Sequence, residues 1–264
     1  MARFSDESDL LDQLRNTVLM FREQNELQFN GFSKASLEHY QNLFDLMSTK
    51  SGLEAYNETS HTFHNEVKPQ ITALISDLSK IINTQDMGFN RDPVKMVGMP
   101  NPNIQYTKKP AEWAWAALTR KGRTRREDVQ FFVALKRRNL RFGIYSGKTT
   151  PKMQKRTNLI VKNIYADPNR FLEILDQCTI EGLSLTENEV GDGSLVLLEI
   201  DRNMPHVSIG EHGHFELVKA LDITKLPGPE DLLDIALQTF VFSRKMYEFI
   251  LGDKVKPRNR LLED

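Results

Sequence analysis

The stretch Val129–Ser146, VQFFVALKRRNLRFGIYS, decides how the chain is read. Val129–Leu135 is a run of β-branched and aromatic residues of strand length, and Leu140–Ser146 alternates apolar and polar positions as a strand does. Between them Lys136-Arg137-Arg138-Asn139 forms a hairpin loop with its cations at the tip, Asn139 being tolerant of a positive φ. An antiparallel hairpin is therefore expected in the middle of the chain. The β region opens near Trp113, ahead of the cationic run Arg120–Arg126.

Upstream the period changes. Leu10, Leu11, Leu14, Val18 and Phe21 recur at helical spacing, which predicts a helix over 5–28 that the Asn30-Gly31 break closes. Ser33 starts a second helix to Met47, with Leu37, Tyr40, Leu43, Phe44 and Met47 as its stripe. A third helical stretch covers 53–82, on which Pro69 kinks or divides the helix. Residues 84–110 carry Gly88, Pro93, Gly98, Pro100, Pro102 and Pro110, and are read as a long irregular connection.

Downstream, a basic helix is expected over Pro151–Tyr165. Asp167-Pro168 starts another that runs to about Gln177. Gly191-Asp192-Gly193 turns into a strand over Ser194–Arg202, whose partner is either His206–Ile209 or Phe215–Lys219. Pro227-Gly228-Pro229 precedes a last helix over Glu230–Leu251. Helices, then strands, then a helix predict an α+β fold: an N-terminal helical region (1–83), then an α+β region (84–264) whose central and C-terminal sheet is mostly antiparallel, with the C-terminal helix packed on it, the whole forming one compact domain.

The net charge is −1, yet residues 108–162 hold sixteen basic side chains against three acidic ones, while 166–240 holds fifteen acids against four bases. A polyanion is attracted to the first region and repelled by the second. Arg120, Lys121, Arg123, Arg125, Arg126, Lys136, Arg137 and Arg138 are the candidate phosphate contacts, and Lys148, Lys152, Lys155 and Arg156 extend the track. Trp113, Trp115 and Tyr145 are the candidates for stacking on or reading a base. The leading reading is thus a nucleic-acid-binding module, for DNA or RNA, without catalysis of its own.

Other chemistries have weaker support. Gly147-Lys148-Thr149 ends like a phosphate-binding loop, but Phe142 stands where the required glycine would be. His61 and His64 share a helical face, and His206, Glu211, His212 and His214 cluster in sequence. Neither spacing is a known metal signature, so a metal-dependent hydrolase stays an alternative without assigned ligands. Asp192, Glu199 and Asp201 lack the lysine of a nuclease motif. A further alternative is a protein-interaction or scaffold protein, or a homo-oligomer, whose complementary charged faces meet. The single cysteine, Cys178, sits between Leu175 and Ile180 and reads as a small buried residue, compatible with a cytoplasmic location. No secretory signal, transmembrane segment or membrane partner is expected, and no cofactor or metal site is assigned.

Two resemblances add to this. Gly31-Phe-Ser-Lys34 with Leu37, followed by Phe63, Lys68-Pro69, Ile71 and Leu74, is similar to the opening of a widespread bacterial family of uncharacterised α+β proteins. Trp115-Ala-Ala117, Arg120-Lys-Gly-Arg-Thr124, Asp128-Val-Gln-Phe-Phe-Val133 and Leu140-Arg-Phe-Gly-Ile-Tyr145 resemble a strand-rich stretch in the N-terminal modules of McrB-type restriction proteins. That second resemblance spans about forty residues. It implies DNA recognition in a restriction or defence setting, in proteins where a separate AAA+ motor follows, and it assigns no base-reading residue.

Overall fold

A computed structural model describes residues 5–47, 61, 63–90, 97–98, 113–124, 127–136, 138–147, 151–185, 196–201, 204–209 and 215–252. Alternation places Phe131, Val133 and Leu135 of β3 (Gln130–Lys136) on one side of a sheet, level with Leu140, Phe142 and Ile144 of β4 (Asn139–Ser146). Ala114, Ala116 and Leu118 of β2 (Trp113–Leu118) and Phe215 and Leu217 of β8 (Phe215–Asp222) continue that face. Two short strands flank it: β1 (Val97–Gly98), which pairs with β2, and β5 (Ser184–Leu185), which pairs with β8. The order is β1-β2-β3-β4-β8-β5, antiparallel throughout. A second sheet is the hairpin of β6 (Val196–Asp201) and β7 (Met204–Ile209). Both candidate partners of the 194–202 strand are therefore strands, but only the first pairs with it.

The helices cover the inner face. α1 spans Ser5–Glu23, α2 Lys34–Met47, α3 Lys68–Asn83, α4 Pro151–Ala166, α5 Pro168–Ile180 and α6 Pro229–Leu251. α6 lies on β4 and β8, α3 on β2, and α1, α4 and α5 pack around α6. Residues from Leu10 to Leu251 join in one apolar core, so the fold is α+β with the C-terminal helix on the sheet, as expected.

α1 ends five residues earlier than the periodicity suggests. Asn25 takes a left-handed φ of 54°. Glu26 N–H then bonds Phe21 O at 2.8 Å and Asn25 N–H bonds Arg22 O at 2.9 Å. This pair of bonds satisfies the last carbonyls and turns the chain out of the helix. The following segment is fixed to α3 by Asp77, whose buried carboxylate accepts from Gln28 N–H at 2.9 Å and Phe29 N–H at 2.7 Å. Burial raises the Asp77 pKa, and those two N–H groups work against the rise. Ser33 caps α2 as expected, with its Oγ accepting from Ser36 N–H at 3.4 Å. Pro69 divides rather than kinks: a π-helical turn, Phe63–Val67, gives way to α3. Residues 53–60 of the expected long helix lie outside the described residues.

The connection 84–110 is corrected in part. Its Val97–Gly98 is a strand, and Phe89 bridges to Arg120. Asn139 is also corrected: it belongs to β4, and Asn25 and Asp86 are the only non-glycine residues with positive φ among those described.

Arg15 on α1 holds Asp234 on α6 with two bonds, Nε to Oδ1 at 2.7 Å and Nη2 to Oδ2 at 2.9 Å. Hydrogen bonding from Arg15 holds the Asp234 carboxyl below its ordinary pKa. A carboxylate depressed in the folded state stabilises the fold above its unfolded pKa of about 3.9, and that stability is lost as pH falls through the folded value. Urea unfolding will therefore show a gap between the wild type and Arg15→Ala at neutral pH that closes as the pH drops below about 4. A gap independent of pH would remove Asp234 from the account.

Candidate nucleic-acid interface

The basic segment is built around an acid. Asp128, at the end of the β2–β3 connection, is 0% exposed. Its carboxylate accepts from Arg120 N–H at 2.9 Å, from Arg120 Nε at 3.0 Å and from the Tyr247 hydroxyl on α6 at 3.0 Å, and Arg120 Nη2 lies 2.8 Å from it. A buried carboxylate is tolerated only when its lone pairs are filled in this way. Burial raises the Tyr247 pKa well above its ordinary value, and the Asp128 charge raises it further.

Arg156 on α4 completes the arrangement. Its guanidinium donates to Ser146 Oγ at 2.7 Å, to Gly147 O at 3.3 Å and to the carbonyl of Asp128. It is 5% exposed, and burial pulls its pKa down while Asp128 opposes the fall. Its assignment as a phosphate contact is thus corrected, because its donors are directed into the fold at two strand ends. What it does is bring α4 against the β2–β3 connection. Replacing it with methionine keeps the stem and strands those acceptors, so a loss of roughly 2 kcal/mol is expected in chemical unfolding. A neutral result would mean water replaces it without cost.

The connection is held from below as well. Lys121 N–H bonds Gly88 O at 2.6 Å and Asn90 N–H bonds Thr119 O at 2.8 Å. The Asn90 side chain reaches Thr119 Oγ1 at 2.9 Å and the carbonyls of Arg120 and Arg123 at 3.4 Å each. Arg123 N–H closes a turn on Arg120 O at 2.9 Å, in which Gly122 supplies a left-handed φ of 78° with nothing within 4 Å of where a Cβ would stand. The backbone is fixed, and Lys121, Gly122, Arg123 and Thr124 face solvent.

The other predicted residues divide into groups. Lys155 is exposed on α4. Lys152 lies on the same helix, and its side chain is outside the described residues, as are Arg125, Arg126, Arg137 and Lys148. Lys136 is half-buried and Arg138 exposed, but at the far end of the sheet. Gln130 pairs with Tyr145 and Leu135 with Leu140, so the hairpin tip and the Arg120–Arg123 loop lie at opposite ends of β3. At 3.3–3.4 Å per residue that is about 20 Å. The expected cations therefore do not form one continuous row: those of the β2–β3 loop lie at one end of β3, and Lys136 and Arg138 lie at the other. There Asn139 is paired with Asp222.

Trp115 and Tyr145 lie on the outer face of the sheet, half-buried against Ala117, Phe132, Ala134 and Val218. Phe132 and Tyr145 meet edge to face at 6.0 Å. Trp113 is in β2, with its side chain outside the described residues. Arg141 shares this face and is paired with Glu216 at 3.3 Å, so one cation of the basic segment is neutralised by the acidic half.

In the sequence Asp128 is one of the three acids of the basic segment. Its position directly before an apolar strand, two residues after Arg126, is the signal it offers. The sequence reading did not single out the exposed side of α4 beyond Lys155, with Asn158, Leu159, Lys162 and Tyr165.

The remaining chemistry stays thin. Among the described residues no group of three or more His, Cys, Asp or Glu is placed to hold a metal. His61 and His64 are exposed, His206 lies in β7, and Glu211, His212 and His214 lie outside the described residues. Cys178 is buried, its Sγ 3.4 Å from Phe242 O, and burial pushes its thiol up to about 12, which suits packing and not nucleophilic attack. Among the described residues no helix is long and apolar enough to cross a membrane.

No protein-family model matches the chain, and no curated protein matches it.

Proposed function

We propose that the chain is a nucleic-acid-binding module, acting in the cytoplasm, whose contact surface is the sheet end formed by the β2–β3 loop and the start of α4. The observation that carries this reading is the Arg156 bridge. It joins two cationic segments separated in sequence, and leaves Lys121, Arg123 and Lys155 exposed at that end while the buried Asp128 charge is consumed internally. Phosphates are the ligands such a surface suits, through charge and through the guanidinium fork of Arg123. The restriction or defence setting that the McrB-like stretch implies is part of the proposal.

The test is a paired substitution. Lys121→Ala with Arg123→Ala alters exposed side chains, so stability changes by no more than about 0.5 kcal/mol. Binding to short labelled DNA and RNA will weaken, and the slope of log K against log salt will shrink by roughly 1.8, about 0.9 for each phosphate no longer held. An unchanged slope would show that phosphates are not held by this loop.

A further inference from the structure

Helix α4 packs against α6, α5 and β4, has β7 alongside it, and keeps one side in solvent. Arg156, Ile160 and Ile164 face inward, at 5%, 0% and 1% exposure. Lys155, Asn158, Leu159, Lys162 and Tyr165 line its outer side at spacings of three, four and seven residues. Leu159 and Tyr165 keep 39% and 48% of their surface in solvent. The helix PKMQKRTNLIVKNIYA contains no acidic residue over its sixteen positions. Two lysines seven residues apart, about 10 Å along the axis, thus bracket an amide and an apolar side chain.

Resting on the reading of the module as a nucleic-acid binder, we infer that α4 is a base-reading helix for the major groove of duplex DNA, with Asn158 and Leu159 as the reading residues. The size fits: a helix about 10–12 Å across enters a groove about 12 Å wide. So does the chemistry. An asparagine amide offers one donor and one acceptor, the complement of adenine N7 and N6, and a leucine covers the thymine methyl group. Lys155 and Lys162, on one line along the helix, contact phosphates at the two ends of the reading side. The RNA duplex is excluded by its deep, narrow major groove.

The experiment compares short duplexes by fluorescence anisotropy: A·T DNA, the same DNA with uracil for thymine, G·C DNA, and duplex RNA. The wild type will bind the A·T duplex most tightly, and loss of the thymine methyls will weaken it. Asn158→Ala will cost about tenfold on A·T DNA and little on G·C DNA. Leu159→Ala will remove the sensitivity to uracil. Circular dichroism serves as the folding control for these exposed substitutions. If both variants bind every duplex as the wild type does while Lys121→Ala/Arg123→Ala weakens all of them, the base-reading assignment falls and the phosphate surface stands. Equal wild-type affinity for DNA and RNA duplexes also overturns it. If the wild type binds no duplex and no single strand at low salt, both readings fall.

Discussion

Replacing Gly143 with alanine will cost at least about 3 kcal/mol and is among the most damaging single substitutions available in this chain. Gly143 lies in β4, between Phe132 on β3 and Val218 on β8. A Cβ there would stand 2.0 Å from the carbonyl oxygen of Leu217 and 2.9 Å from Val218 Cα. These are backbone atoms of a paired strand and cannot rotate away, so the two strands must separate at the centre of the sheet. Urea unfolding reads the effect as a lower midpoint. Gly122→Ala is the comparison: that glycine also has a positive φ, but no atom lies near its missing Cβ, so its cost is only the backbone strain of roughly 1 kcal/mol. Equal midpoints for the two variants would contradict the steric argument.

Asp128→Ala will be comparably severe, about 3–5 kcal/mol. It removes the carboxylate on which Arg120 and Tyr247 converge and leaves a buried hydroxyl and a partly buried guanidinium without that acceptor. Tyr247→Phe removes one of those bonds and strands only one lone pair, so about 1 kcal/mol is expected from it. The double variant will be less damaging than the sum, since the tyrosine hydroxyl has no bond to Asp128 left to lose once the carboxylate is gone. Additive losses would mean that the two groups do not act through one another.

The elements that the sequence announced are those with a local cause. The β3–β4 hairpin, the Asp167 cap of α5 and the Ser33 cap of α2 each follow from residues within a few positions, and each is found within two residues of its expected place. Asn25 ended α1 early because a left-handed asparagine does what glycine commonly does, and Asn30-Gly31 was the more conspicuous break. Strand β3 reads as a continuous apolar run because both its faces are buried, which conceals the alternation that would have assigned Phe131 inward and Phe132 outward. Pairing across long separations was not legible. Nothing near Phe215 says that it lies beside Ser146, nor near Arg156 that its donors reach Asp128.

The same limit shaped the site. The excess of positive charge over 108–162 was plain, but charge counting weighs every cation alike. Folding sorted them: Arg120 and Arg156 were taken inward to a buried acid and strand-end acceptors, Arg141 was paired with Glu216, and Lys136 and Arg138 were carried to the other end of the sheet. What remains at the loop and α4 is a smaller surface made of two separated segments.

The most direct test of the account is the salt dependence of the wild-type protein's binding to a short DNA duplex. With Lys121, Arg123, Lys155 and Lys162 each on a phosphate, log K will fall against log salt with a slope of about −3.6 or steeper. A complex whose affinity does not change with salt, or no complex at low salt, would contradict the claim that this end of the sheet is built to hold a nucleic-acid backbone.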